Sequence, residues 1–88
     1  MKKAVALKYD REKDPAPKVT AKGKGKVAEK IIEVAELHEL PIKKDEDLVE
    51  MLAQVELDRQ IPENLYKAVA EVFIFVYNVT REKETDAL

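Results

Sequence analysis

The feature that most constrains the fold is a β-strand pattern at residues 4–9. Both faces of this strand are mostly apolar, with Val5, Leu7 and Tyr9 on one face and Ala4, Ala6 and Lys8 on the other. A strand of this kind is covered on both faces, and its edges carry backbone N–H and C=O groups that need partners. We therefore expect this strand either to lie within a sheet or to keep an open edge, which a partner strand or a second copy of the chain would fill.

Prolines and glycines separate the remaining elements. Gly23 and Gly25 precede an amphipathic helix, and Pro41 ends it. The resulting elements are strands near 4–9, 18–22 and 41–44 and helices near 26–39, 46–55 and 62–79. The second strand, first helix and third strand form a βαβ unit, whose strands are parallel with a right-handed crossover. The sequence therefore predicts an α/β fold, a small single domain with a mixed three-stranded sheet and about three flanking helices.

The second and third helices carry much of the predicted core. Asp45 or Asp47 can cap the second helix, and Pro62 suits the first turn of the third. Apolar residues recur at helical spacing along the third helix, namely Leu65, Tyr66, Val69, Val72, Phe73 and Val76. We expect this helix to be the most buried of the three, with residues 1–79 forming the domain and 80–88 a flexible polar tail.

The composition argues against catalysis and against a bound cofactor or metal ion. The chain has no Cys and no Ser, so the commonest acyl-transfer nucleophiles are absent. Its single histidine, His38, falls near the end of the first helix, where histidine more often suits the helix dipole than catalyses a reaction. The longest apolar run is far shorter than the roughly 20 residues of a membrane span. We expect a cytoplasmic, non-enzymatic protein.

A basic turn is the main candidate for binding an anion. Residues 1–30 contain ten Lys or Arg against four Asp or Glu, whereas residues 31–88 contain six against fourteen. The turn itself comprises Lys22, Gly23, Lys24, Gly25 and Lys26. A glycine turn before a helix can hold phosphate, but it can also be a tight connection that needs a positive φ. The basic half has Tyr9 as its only aromatic residue, so we do not expect nucleic acid to stack there. An anion- or nucleic-acid-binding module at this turn is the alternative function that the sequence leaves open.

A second candidate site is a shallow apolar groove. Ala16 and Pro17 lie in a loop, and the last helix has more apolar surface than one core stripe requires. A groove between this loop and the pair Ala70 and Phe73 would receive a peptide. The alternative is that Phe73 simply packs in the core, and periodicity does not decide between the two.

Four segments occur together in an order and spacing that is specific as a combination. They are Ala4-Val5-Ala6-Leu7-Lys8-Tyr9-Asp10, Ala16-Pro17-Lys18-Val19, Ala21-Lys22-Gly23-Lys24-Gly25 and Ile61-Pro62-Glu63-Asn64-Leu65-Tyr66-Lys67-Ala68-Val69-Ala70-Glu71-Val72. Together they resemble the cytoplasmic domain of the FlhB/YscU family, the export-switch proteins of flagellar and injectisome type III secretion. The resemblance implies a small α/β domain that docks early export substrates.

The resemblance also implies a role for the apolar groove. In the family, a patch formed by an Ala-Pro loop and the last helix is implicated in docking, and the matching positions here are Ala16, Pro17, Ala70 and Phe73. The implied partners are proteins of the type III export apparatus, export substrates of the rod and hook class, and a membrane-bound FlhB paralogue. The implied location is the cytoplasmic side of the export gate.

One family feature has no counterpart in the sequence. Full-length members carry a membrane domain and then a self-cleaving Asn-Pro-Thr-His loop directly before the strand that matches residues 4–9, where this chain has Met1-Lys2-Lys3. We therefore expect no autocleavage and a chain that resembles a freestanding copy of the fragment after cleavage. Glu46 and Asp47 also stand where members often have proline, which bears only on the start of the second helix.

The composition further predicts a high melting temperature. Lys and Glu dominate, Trp is absent, and the chain has only two Gln and two Asn, which is typical of hyperthermophile proteins. Thermal unfolding followed by circular dichroism should have its midpoint above the range of about 45–65 °C that is usual for mesophile domains. A cooperative transition below about 60 °C would contradict this expectation.

Overall fold

The elements of the computed structural model follow the predicted order, with one exception. The structure describes residues 2–10 and 12–86, with side chains described as far as Asn78. Its elements are strands β1 (Lys3–Lys8) and β2 (Lys18–Lys24), helices α1 (Lys26–Leu37) and α2 (Glu46–Leu52), a 3₁₀ turn (Glu63–Leu65) and helix α3 (Tyr66–Asp86). Helix α3 thus continues into the residues predicted as a tail, of which 87 and 88 lie outside the described residues.

Within the described residues, β1 and β2 form a two-stranded antiparallel sheet that carries α1 on one face. Ala4 lies opposite Gly23 in the register of the two strands. Gly23 in turn touches Val27 of α1, and Ala28 of the same helix is completely buried. Small residues on this face of the sheet therefore let α1 pack closely against both strands.

The main core lies on the opposite face of the sheet, beneath Val5, Leu7 and Val19. Val5 and Leu7 share one side of the pleat because side chains alternate along β1, and the register, which shifts by one residue between Ala6 and Leu7, places Leu7 opposite Val19. The buried cluster consists of Ala16, Val19, Leu48, Leu52, Ile61, Leu65 and Val69. The sheet is therefore sandwiched between α1 and a layer built from α2, the 3₁₀ turn and α3.

The predicted third strand at 41–44 is wrong, and the βαβ unit is wrong with it. Residues 40–45 are described and form no strand. Pro41 has no N–H to give to a sheet, and Lys43 instead places its Nζ atom 5.5 Å from the centre of the Phe75 ring. This segment therefore packs beside α3 rather than joining the sheet.

The second edge of β2 is bonded to residues 58–61, which lie outside every strand predicted from the sequence. The N–H of Val19 donates to the carbonyl of Arg59 at 3.1 Å, and the N–H of Ile61 donates to the carbonyl of Pro17 at 2.9 Å. Lys18 and Gln60 form an antiparallel bridge between these bonds. A segment without alternating apolar residues therefore takes the place that the third strand was predicted to fill.

The second helix begins as predicted, whereas the third is less buried than predicted. The Oδ1 atom of Asp45 accepts a hydrogen bond from the N–H of Leu48 at 3.1 Å, which confirms an aspartate cap. Helix α2 buries Leu48 and Leu52 among only seven residues, whereas Tyr66 and Ile74 of α3 are 44% and 59% exposed. Neither α3 nor any other helix within the described residues is both long and apolar enough to cross a membrane.

We predict that Gly23→Ala destabilises the fold through the contact with α1. A Cβ atom at residue 23 would lie 2.8 Å from the Cβ of Val27 and even closer to its Cγ1. Overpacking of this kind costs about 1–3 kcal/mol, which urea unfolding would measure.

The matched control for this prediction is Val27→Ala, alone and combined with Gly23→Ala. Val27 is 57% exposed, so its truncation alone should change stability little. The double variant should lose less stability than the sum of the two single variants, because the closest clashing atom is gone. Additive losses would contradict the proposed contact.

Candidate functional site

The first lysine of the basic turn is already bonded within the fold. Lys22 Nζ donates to the backbone carbonyl of Ala53 at 3.0 Å and to that of Val55 at 2.7 Å. These carbonyls follow the last turn of α2, where backbone oxygens have no partner inside the helix. Lys22 therefore ties β2 to the end of α2, and its ammonium group is not displayed to solvent as the neighbouring lysines are.

The glycines of the turn serve a tight connection. Gly25 has φ 60° and ψ −127°, a conformation that favours glycine. Its N–H donates to the carbonyl of Lys2 at 2.7 Å, so this group is not free to bind phosphate. Lys24 and Lys26 are exposed. The turn thus offers two solvated lysines, and the described geometry favours the interpretation as a strand-to-helix connection.

A polar cavity of about 270 Å³ opens beside the loop that follows β1. Its lining is balanced in charge, with Lys8, Lys13 and Lys18 against Asp10, Asp14 and Asp58, together with Thr20. Lys18 and Asp14 are paired at 3.0 Å between Nζ and Oδ1. Because three acidic side chains line the cavity together with three lysines, its charge gives no marked preference for an anionic ligand.

The four residues of the predicted docking patch lie near the core, but they differ in exposure. Ala16 is 2% exposed and belongs to the buried cluster. Pro17 is also buried, whereas Ala70 on α3 is exposed. Phe73 is half-buried and packs against the cluster that contains Ala16. Phe73 therefore packs in part against the core, and peptide binding at this patch stays a prediction.

Aromatic residues that the sequence reasoning did not assign to the patch extend its exposed part. Tyr9, after β1, packs against Phe73 with ring centres 5.9 Å apart. Tyr66 and Tyr77 are 44% and 62% exposed. The spacing of Tyr66, Ala70, Phe73 and Tyr77 places them within an arc of about 60° on the helix. We call these four residues the α3 stripe, and their i, i+4, i+7, i+11 spacing was a signal available in the sequence.

The candidates for catalysis or metal binding do not assemble into a site within the described residues. His38 is exposed at the C-terminal cap of α1. No cluster of three or more His, Asp or Glu residues with metal-binding geometry occurs in the described part of the chain. The strongest candidate surface is therefore apolar, and it lies on α3 and beside Tyr9.

Comparison with protein families gives a match over most of the chain. The model of the "FlhB HrpN YscU SpaS Family" matches residues 1–76. This range contains the buried cluster and all of the α3 stripe except Tyr77.

Individual relatives fall into two length classes. Protein YlqH of Bacillus subtilis is 51% identical over 79 residues, which are 90% of this chain and 85% of that protein. The flagellar biosynthetic protein FlhB of Aquifex aeolicus is 47% identical over 74 residues, which are 83% of this chain but only 21% of that protein. The chain thus spans about a fifth of the length of this FlhB relative.

Solved structures match the fold closely. The cytoplasmic domain of FlhB from Shewanella putrefaciens superposes with a TM-score of 0.89 at 38% identity, over 94% of this chain and 69% of that chain. A mutated EscU/SpaS C-terminal domain matches with a TM-score of 0.82 at 27% identity, over 86% of this chain and 95% of that chain. The arrangement of sheet and helices described above is therefore also found in these domains.

We predict that Lys22→Met lowers the stability of the fold and leaves phosphate binding unchanged. Methionine keeps much of the aliphatic stem but cannot donate to the carbonyls of Ala53 and Val55. Hydrogen bonds from a charged group contribute about 1.5–3 kcal/mol, and urea unfolding should show a loss of this size.

Lys24→Met is the matched control, since Lys24 is exposed in the same turn. Its effect on stability should stay within about 0.5 kcal/mol. Equal effects of the two substitutions would contradict a structural role for Lys22. Unchanged stability with loss of phosphate binding in Lys22→Met would instead favour the anion site.

Proposed function

Because the chain belongs to the FlhB HrpN YscU SpaS family, we propose that it acts in flagellar or type III protein export as a docking module. The proposed action is the binding of a protein segment, with no chemical step. In support, the match covers nearly the whole domain, and the chain resembles the cytoplasmic domain of FlhB in fold as well as in sequence.

The observation that carries this proposal is the exposed apolar surface along α3. Contiguous apolar surface on a small domain marks an interaction site more often than isolated apolar residues do. Ala70 leaves a shallow place between Tyr66 and Phe73 on the helix, because its side chain is the smallest of the stripe. An apolar side chain of a partner can lie over Ala70 and contact the aromatic rings beside it.

Ala16 and Pro17 have a supporting role in this proposal. Both are buried, so they contribute the packing beneath the surface rather than the surface itself. The carbonyl of Pro17 accepts the N–H of Ile61 at 2.9 Å, which holds the loop against the segment that leads into α3. The loop therefore fixes the position of Phe73 through the buried cluster.

The proposed partners are export substrates of the rod and hook class and components of the export gate on its cytoplasmic side, including a membrane-bound FlhB paralogue. A stripe of tyrosine and phenylalanine suits such partners, because aromatic residues provide large contact areas with few rotatable bonds. Tyrosine hydroxyl groups at the rim of the stripe can also donate to a bound backbone.

We predict that Ala70→Asp abolishes substrate docking while the domain stays folded. The substitution places a carboxylate in the centre of the α3 stripe, where a partner would have to desolvate it. The helix itself should lose only about 0.5–0.7 kcal/mol, because position 70 is exposed. Retention of purified rod and hook subunits on the immobilised chain would measure docking.

Gln54→Glu is the control for this experiment, since it adds the same charge at an exposed site outside α3. It should retain the subunits as the unchanged chain does. If the unchanged chain retains none of the rod, hook and gate proteins, the proposed function is wrong. If Ala70→Asp and Gln54→Glu both bind normally, the function stands but the stripe is not its site.

A further inference from the structure

Helix α1 carries apolar side chains on a flank that the sheet does not cover. Val27, Ile31 and Val34 follow one another at i, i+4 and i+7, which places them within an arc of about 60°. Val27 and Val34 are exposed, and Ile31 is half-buried. Ala28, on the side of the helix that packs against the sheet, is completely buried. We call Val27, Ile31 and Val34 the α1 stripe.

The end of α1 extends this apolar surface. Leu37, in the last turn of the helix, is 77% exposed. The N–H of Leu40 donates to the carbonyl of Ala35 at 2.8 Å, and Glu39 has φ 57° and donates its N–H to the carbonyl of Glu36 at 3.1 Å. These bonds form a Schellman turn, in which the residue at the position of Leu40 packs beside the last turn of the helix. Leu40 is nevertheless 58% exposed.

The α1 stripe and the α3 stripe lie on opposite sides of the sheet. Val27 lies against Gly23 of β2, on the face that carries α1. The main core and α3 lie beneath the other face. A partner bound to the α1 stripe therefore does not compete with a partner bound to the α3 stripe. Exposed apolar side chains that adjoin one another, as these do along α1, are typical of an interaction surface.

The charged side chains around the α1 stripe favour an acidic partner. With about 100° between successive residues, Lys30 projects about 70° from the centre of the stripe and Lys26 about 110°, whereas Glu29 and Glu36 project about 170° from it. Lys30 Nζ lies 3.8 Å from Glu33 Oε1, and the two side chains are 69% and 72% exposed. Exposed pairs of this kind contribute little, so Lys30 can also pair with a carboxylate of a partner.

The same charges argue against a membrane surface or a second copy as the partner. Residues 26–39 contain two lysines and four glutamates, so an anionic lipid surface along the whole helix would meet a net negative charge. A partner helix contacts only the stripe and its border, where the lysines are nearest. A second copy of α1 brings the same lysines to that border, and like charges across an interface oppose association.

We propose that the α1 stripe binds an amphipathic helix of another protein. The apolar face of that helix packs against the stripe, and its border carries Asp or Glu beside Lys26 and Lys30. The surface from Val27 to Leu37 is about 15 Å long, so a partner helix of about three turns covers it. Contacts of this size are small among specific interfaces, and the binding is transient. The site is independent of the α3 stripe and does not rest on the proposed export function.

The test uses the isotope-labelled 88-residue chain and a capped synthetic peptide that contains two copies of Ala-Glu-Glu-Leu-Ala-Lys-Leu. The leucines form one stripe at helical spacing, bordered by the glutamate that precedes the first leucine of each copy. Titration followed by NMR should shift the amide signals of residues 27–38 and leave those of residues 66–78 unchanged. A control peptide with two copies of Ala-Glu-Lys-Leu-Ala-Lys-Leu should bind about threefold more weakly at low salt, because lysine replaces the border glutamate.

Two pairs of variants locate the site. Val34→Glu should weaken peptide binding about tenfold, because the partner would have to desolvate a carboxylate within the stripe, whereas Val34→Ile should bind normally. Gln54→Glu adds the same charge at an exposed site outside α1 and should also bind normally. Lys30→Glu should weaken binding about threefold at low salt, and Lys44→Glu, an exposed control elsewhere, should not. Circular dichroism should show the same helix content in all these variants.

Several results would overturn the proposal. Shifts of residues 27–38 that grow with protein concentration, without peptide, would mean that a second copy covers the stripe. Sedimentation of the chain with phosphatidylglycerol vesicles, lost in Val34→Glu, would mean that the stripe binds a lipid surface. Equal affinity for the two peptides would refute the acidic partner, and absence of shifts at the highest peptide concentration would refute the site. Ala70→Asp should leave peptide binding unchanged, so that failure here and failure of the export proposal are distinguishable.

Discussion

The fold depends on β2 being bonded along both edges while both of its faces are covered. Its inner edge pairs with β1, and its outer edge bonds residues 58–61, which lead into α3. Val19 lies at this crossing point and has no exposed surface. Because backbone groups of a buried strand must find partners, the position of β2 determines where β1, the segment 58–61 and the start of α3 can lie.

The same strand explains why the basic turn has little freedom to bind a ligand. Val27 lies too close to Gly23 for a side chain at that position, and Lys22 is hydrogen-bonded to the end of α2. The residues that looked most like a phosphate site therefore connect three elements of the fold. The surface that we propose for export partners is instead the α3 stripe, whose Tyr66 and Tyr77 are exposed.

Sequence reasoning predicted the elements that have a strong local signal. The alternation in β1, the glycines before α1 and the aspartate before α2 each specify a local conformation, and all three are found. The third strand failed because a short apolar stretch after Pro41 resembles a strand in isolation. Whether such a stretch joins a sheet depends on a free edge, and that edge of β2 is taken by a segment with no strand pattern.

Only part of the candidate site could be predicted from the sequence, because local patterns do not show which residues tertiary packing buries. The family resemblance identified Ala70 and Phe73, but it could not separate the buried loop residues Ala16 and Pro17 from the exposed surface. The tyrosines at positions 66 and 77 have helical spacing in the sequence. Helical spacing alone assigned Tyr66 to the core. Such spacing shows that apolar residues lie on one side of a helix, but it does not show which part of that side packs against the rest of the protein.

The sequence by itself determined the positions of the principal strands and helices and the family to which the chain belongs, since these follow from local patterns and from residue identities in order. The tertiary structure decided which backbone and side-chain groups are bonded or buried within the fold and which stay exposed. It joined residues 58–61 to β2, buried Ala16 and left Ala70 exposed on α3. Packing and backbone pairing bring together residues that are far apart in the chain, so local sequence patterns could not specify these outcomes.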